Sequence, residues 1–167
     1  MEEKKVWTEA ERERLAALAA EKAMGHFRCG LNCAECVVQG FMDLGISSWD
    51  PSIVALVSGM GGGMGHTGHT CGAVNAGMVV VSSEKGRKNP YSAPDFKARV
   101  GELNRPDTGI YARHAAYLRR CFQELGTIEC RDLCIQFPDF HSRERARRCR
   151  EIIGLCTREA VREALKS

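Results

Sequence analysis

Nine cysteines in 167 residues are the side chains with the most chemistry to offer. Cys29, Cys33 and Cys36 come first, Cys71 stands alone in a glycine-rich stretch, and Cys121, Cys130, Cys134, Cys149 and Cys156 follow. Cys33 and Cys36 have the C-x-x-C spacing of a dithiol or of two metal ligands, three apart on one helical face. Asn32 is a good N-cap, which puts Cys33 at a helix start, where backbone amides and the dipole favour a thiolate. Cys71 precedes its own helix in the same way. Cys36, Cys121, Cys134 and Cys149 read as small apolar core residues as readily as ligands. Cys130 and Cys134, four apart, share a helical face, as do Cys149 and Cys156, seven apart, so these thiols could converge.

The stretch Ser58–Gly77 surrounds Cys71 and contains eight glycines in twenty residues. Such density suits a backbone that takes positive φ or approaches another group closely. Its amides, at Gly61, Gly62, Gly63, Gly65 and Gly72, could cradle an anion or hydrogen-bond the sulfurs of a cofactor. His66, His69 and Cys71 are close enough in sequence to share a zinc ion, or to be no more than polar loop residues. Gly63-x-Gly65-x-x-Gly68 has the form of a dinucleotide fingerprint but lacks the strand and parallel sheet that motif needs. No Lys-Ser or Lys-Thr follows the glycines, which excludes a Walker loop. Val37 after Cys36 excludes c-type haem attachment.

Composition narrows the class. The length suits one domain over 1–167 with a core of its own. A formal charge of +3, from 24 Lys and Arg against 21 Asp and Glu, does not imply a nucleic-acid partner. The arginine-rich C-terminal segment reads as a solvated helix face. The charged N-terminus lacks the apolar core of a signal peptide, and no run reaches the ~20 apolar residues of a membrane span. A cytoplasmic protein without membrane insertion is expected, its thiols kept reduced and serving as ligands or redox groups. Apolar helices and a modest charge allow a homodimer.

The elements that must position these residues read as helices. Thr8 and Glu11 form a capping box for a helix over about Glu9–Met24, with Leu15, Leu18 and Ala19 on its apolar face and Gly25 as its stop. Asn32 and Glu35 open a second helix to Leu44. Asp50-Pro51 opens a short element over Ile53–Val57, helix rather than strand. Gly72–Glu84 is apolar on most faces and should be central. Ser92 caps a helix carrying Phe96, Val100 and Leu103, which Pro106 ends. Asp107–Leu125 follows, with Ile110, Ala115, Leu118 and Phe122 inward. The last helical region, Ser142–Leu165, has Gly154 as a break. The sum is an all-α single-domain bundle of six or seven helices.

Several stretches in this order resemble a known family. Asn32-Cys33-Ala34, Gly59-Met-Gly-Gly-Gly-Met-Gly65, Thr70-Cys71-Gly72-Ala73, Cys130-Arg-Asp-Leu133 and Cys156 are similar to the C_GCAxxG_C_C family of small redox-active proteins, over about residues 10–165. The family's CGAxxG reads here as Cys71-Gly-Ala-Val-Asn-Ala76, with alanine for the last glycine and Gly77 one step later. The resemblance implies that Cys33, Cys71, Cys130 and Cys156 are the signature cysteines. The family is also similar to a domain of split-Soret cytochromes, which implies a helical fold and an iron–sulfur or related metal centre.

Three functions follow as expectations. The four cysteines hold an iron–sulfur cluster for electron transfer with an unidentified donor or acceptor. Alternatively they cycle as thiols and disulfides without metal, Cys33 or Cys71 attacking. In the third, Cys and His side chains hold structural zinc. The roles of Cys29, Cys36, Cys121, Cys134, Cys149, His66 and His69 stay open at this point.

Overall fold

A computed structural model describes residues 5–167. Six helices of nine residues or more carry the architecture: α1 (Glu9–His26), α2 (Cys33–Met42), α4 (Gly72–Lys85), α5 (Phe96–Asn104), α6 (Ile110–Leu125) and α8 (Arg143–Ala164). Two single turns, α3 (Gly61–Met64) and α7 (Cys130–Leu133), lie among them. Tight 3-10 turns span Phe27–Cys29 and Pro51–Met60. Among the described residues there is no strand, only an isolated bridge between Thr70 and Glu129, so the all-α expectation holds. None of these helices is long and apolar enough to cross a membrane.

Both capping boxes form, Thr8 with Glu11 and Asn32 with Glu35. Asp50 caps the Pro51–Met60 segment, which winds as a 3-10 helix in place of a strand. Gly25 does not end α1. The chain continues helically and turns at Gly30, which takes φ 91°. Asp95, not Ser92, caps α5, and Gly109 is the N-cap of α6.

The bundle is built around α4, whose Ala73, Val74, Ala76, Val80 and Val81 are buried. Helices α2, α6 and α8 pack on it, and α1 lies along α8 and against α2. The buried face of α1 is Ala16, Ala19, Ala20 and Ala23, while Leu18 is 41% exposed. Of the face read from the sequence, Ala19 is buried and Leu15 packs at the core's edge, while Leu18 is turned to solvent. A Cβ on Gly40 of α2 would stand 2.7 Å from the Ala19 carbonyl and from the Ala23 Cβ, so only small residues let the two backbones come this close.

Helix α6 turns His114, Tyr117 and Cys121 inward and leaves Phe122 55% exposed, a second correction. Polar anchors set that rotation: His114 Nε2 lies 2.7 Å from Ser82 Oγ, and the Tyr117 hydroxyl donates to the Val74 carbonyl at 3.1 Å. Arg120 adds hydrogen bonds to Glu159 and Glu163 of α8, at 2.9 and 2.8 Å. Helix α5 buries nothing, and Phe96 is 80% exposed. Gly154 does not break α8. It is buried where a Cβ would come within 2.8 Å of the Met24 sulfur, so it is the contact point of α8 with α1.

Candidate functional site

Cys33 is the first residue of α2. Asn32 fixes it from both sides: its side-chain Oδ1 accepts from the amides of Ala34 and Glu35, and its Nδ2 donates to the Ser58 carbonyl at 2.9 Å. The glycine turn that follows is left-handed at Gly62, Gly63, Gly65 and Gly68, and at the non-glycine residues Met64 and His66. Gly63 is required twice over, by φ 76° and by space, since a Cβ there would meet the His69 carbonyl at 2.5 Å and the Cys130 Cβ at 2.6 Å. Gly72 meets a similar limit: a Cβ would stand 2.8 Å from the Cys33 sulfur.

Backbone hydrogen bonds clip α7 onto this turn. The amides of Cys130 and Arg131 donate to His69 and Gly68, and the Cys71 amide donates to Ile128 at 2.7 Å. Cys71 is the N-cap of α4, and Gly72 beside it comes within 2.8 Å, at an added Cβ, of the Cys33 sulfur.

The result is a cavity of about 180 Å³ walled by five cysteines, Cys33, Cys71, Cys130, Cys134 and Cys149. Phe27, Leu133 and Ile152 make apolar wall, the backbone of Gly61 and Gly62 forms one side, and His66, Phe140 and Arg145 complete the lining. The His66 and Phe140 rings pack with centroids 4.5 Å apart and planes tilted by 41°, joining the glycine turn to the segment before α8. Arg145 lies over the Phe140 ring at 4.7 Å and donates to the Phe137 carbonyl.

The cavity thiols act on one another in twos. The Cys134 and Cys149 sulfurs are 3.9 Å apart, and Cys71 neighbours Cys33 closely enough to shift its titration. In each pair one thiol is drawn down and its partner pushed up. Cys33 falls to about 7, because Cys71 donates to its thiolate and the amides of Gly62, Ala34 and Ala73 add to that, against the effect of burial. Cys71 rises correspondingly. Cys134 falls to about 6 through its bond with Cys149, helped by the charges of Arg145 and Arg148, and Cys149 rises. Cys130 is raised by burial and by the neighbouring thiols of Cys134 and Cys33, with Arg145 opposing. Among the described residues no three His, Cys, Asp or Glu side chains close around a single ion.

Of the four cysteines that the family resemblance implies as its signature, Cys33, Cys71 and Cys130 are thus brought to one cavity. Cys156 is not. It is fully buried beside Cys121 and Tyr117 between α6 and α8. Cys134 and Cys149 occupy the cavity instead, and Arg145, one helical turn before Cys149, joins them. A sequence reading could have found Arg145 from that i, i+4 spacing. Of the predicted glycines, Gly61 and Gly62 line the cavity, Gly63 and Gly72 give room to its sulfurs, and Gly65 lies outside its lining. His66 lines the cavity, whereas His69 is turned outward, 3.9 Å from Glu129. Cys36 is buried behind Cys33 and bonds the Leu31 carbonyl, its thiol pushed up to about 12 by burial. Cys29 is exposed and donates to Gly25.

A family model described as "Putative redox-active protein (C_GCAxxG_C_C)" matches residues 31–162, well over half of the chain. The chain belongs to the C_GCAxxG_C_C family. The match takes in all five cavity cysteines and also Cys36, Cys121 and Cys156, and it leaves Cys29 and all of α1 outside. In this C_GCAxxG_C_C protein the alanine at position 76 is tolerated because the tight contact falls on the next residue: Gly77 lies against the Tyr117 hydroxyl, where a Cβ would be 2.0 Å away. No curated protein and no solved structure matches the chain.

Proposed function

We propose that the cavity is an electron-transfer centre in which cysteine thiolates hold an iron–sulfur cluster. The observation that carries this reading is the convergence of five sulfurs, from α2, the N-cap of α4, the α7 segment and α8, on one apolar cavity. The donor set fits: soft thiolates are the ligands such clusters use. The size fits as well, because 180 Å³ is below the roughly 300–1,000 Å³ usual for organic ligands and favours a compact inorganic guest.

When bound, a cluster supplies a redox couple whose potential depends on net charge, hydrogen bonds to sulfur and solvent exposure. The chain's own groups act on each of these. The amides of Gly62, Ala34 and Ala73 donate to the Cys33 sulfur and favour added negative charge there. Arg145 and Arg148 do the same from the α8 side. Phe27, Leu133 and Ile152 keep water from the interior wall, and the His66–Phe140 stack narrows access. Protein prepared without oxygen should be brown and contain iron and acid-labile sulfide. Colourless, iron-free protein after reconstitution would overturn the reading.

A second reading rests on the 3.9 Å contact of the Cys134 and Cys149 sulfurs and on the lowered Cys33 thiol with Cys71 as its neighbour. Without metal, the Cys33 thiolate attacks an incoming disulfide, and Cys71 resolves the mixed disulfide by attacking the Cys33 sulfur and releasing the other half as a thiol. This predicts a redox-dependent gel shift in metal-free protein that Cys71→Ser abolishes. Structural zinc draws less support, since one tetrahedral ion needs its donors together and these meet in twos. Either redox function suits the cytoplasm, where free thiols persist.

A further inference from the structure

We propose a second site, away from the cysteines: Ser82 and His114 form a nucleophile and general-base pair for the hydrolysis of esters with apolar acyl groups.

The pair spans two helices. Ser82 stands in the last turn of α4 and is exposed, while His114, one turn into α6, is buried behind it. The His114 Nε2 lies 2.7 Å from Ser82 Oγ, and its Nδ1 lies 2.6 Å from the Ile110 carbonyl oxygen. A carbonyl only accepts, so Nδ1 carries the ring proton, and Nε2 of the neutral ring is left to accept from the Ser82 hydroxyl. A base whose tautomer is held by a third group, bonded to an exposed hydroxyl, is the arrangement that activates a serine. The contact that anchors α6 on α4 is thus also a proton-transfer path.

A hydroxyl that served packing alone would need no room for a guest. Ser82 instead opens onto a groove of about 430 Å³, within the roughly 300–1,000 Å³ usual for organic ligands. Trp49, Ile53, Leu56, Val79, Leu103 and Ile110 give it apolar walls, which favour an aliphatic acyl chain. Leu56 is 69% exposed, so the wall on that side is open to solvent. The groove shares no residue with the cysteine cavity. Arg87 is the cation of its lining. The Arg87 Nη1 is held by the Arg99 carbonyl at 3.3 Å and by Glu102 at 3.6 Å, which keeps a guanidinium beside the groove for the charge that develops on a carbonyl oxygen.

The step balances as a hydrolysis. Ser82 Oγ adds to the ester carbonyl carbon while its proton passes to His114 Nε2. The bond from that carbon to the alcohol oxygen then breaks, and His114 returns the proton to the leaving oxygen. A water molecule repeats the sequence on the acyl-serine, releasing the carboxylic acid and restoring the hydroxyl. No electron is exchanged.

The test uses full-length protein whose accessible thiols have been blocked with iodoacetamide. An alkyl fluorophosphonate, which bonds covalently to activated serines, is mapped peptide by peptide, and turnover is read with p-nitrophenyl acetate and butyrate. Ser82 should be labelled on the order of 10²-fold faster in the folded than in the urea-unfolded chain, and His114→Gln should remove that advantage. Ser82→Ala should bring turnover down to that of the unfolded chain. Leu56→Arg alters only an exposed part of the groove wall and should lower turnover of the butyrate about tenfold relative to the acetate. A far-ultraviolet spectrum checks folding. If the buried His114→Gln does not fold, Ser82→Ala and Leu56→Arg, both at exposed positions, decide the matter. Ser82 labelled no faster in folded protein, turnover that survives Ser82→Ala, or an unchanged ester ratio in Leu56→Arg would overturn the site.

Discussion

Five sulfurs line the cavity beneath the glycine turn, whereas those of Cys121 and Cys156 meet between α6 and α8 with no exposed surface. Both regions bring thiols close together, so proximity alone does not separate chemistry from packing. The surroundings do. In the cavity, three backbone amides and the arginines of α8 face the sulfurs, and Cys33 and Cys149 are only partly buried. In the core the pair has Tyr117 beside it and no route to solvent, and Cys156 is pushed far up by its bond to Cys121 and by burial. Reactive sulfur needs charge stabilisation and access together, and only one region provides both.

The largest test of that contrast is native-state alkylation of metal-free protein with iodoacetamide, read peptide by peptide. Cys33, partly exposed and with its thiol drawn down to about 7, should label quickly. Cys121 and Cys156 should react only through global opening, slower by on the order of 10³-fold or more. Core thiols labelled at rates near those of the cavity would erase the distinction.

Next in size is Gly77→Ala. The added methyl would overlap the Tyr117 hydroxyl at 2.0 Å and force α4 and α6 apart, at a cost of about 2–3 kcal/mol in urea unfolding. Gly65→Ala, at a left-handed position with open space, should cost only about 1 kcal/mol. Equal losses at the two sites would show that the core contact is not as tight as described.

The pH dependence comes third. Cys33 has a pKa lowered to about 7, so its thiolate is present above that pH and is lost below it. Its alkylation in metal-free protein should rise about tenfold per pH unit below 7 and level off above, whereas an ordinary thiol near 8.5 keeps rising through pH 8. A midpoint above 8 would mean that the amides of Gly62, Ala34 and Ala73 do not hold the charge. Smallest is Tyr117→Phe, which removes the second hydrogen bond to the Val74 carbonyl, already bonded within α4, and should cost about 1 kcal/mol while leaving cavity labelling unchanged. A change in Cys33 labelling on that substitution would join the two regions functionally.

Local signals in the sequence located much of this. Asn32 with Glu35, Thr8 with Glu11, and glycines that only a left-handed turn needs all sit where side-chain chemistry placed them. What went astray depended on neighbours. Leucines mark an apolar face by type, yet α1 packs through alanines because α2 presents Gly40 and comes too close for anything larger. Phe122 points outward because His114 and Tyr117, with polar anchors on α4, fix the rotation of α6. Cys149 and Cys156 do share a helical face, but seven residues advance the helix by about 10 Å, enough to take one sulfur to the cavity and the other into the core. Periodicity gives direction around an axis and says little about position along it.

The packing of α1 along α8 sets the order in which the protein can be finished. Helix α8 carries Cys149 and Arg145, so the cavity stays open on one side until that last long helix has been synthesised and has docked against the first. Any guest that depends on that wall arrives late. It would lock a fold already made, stabilising it in proportion to its binding, and could not serve as the seed around which the chain collapses.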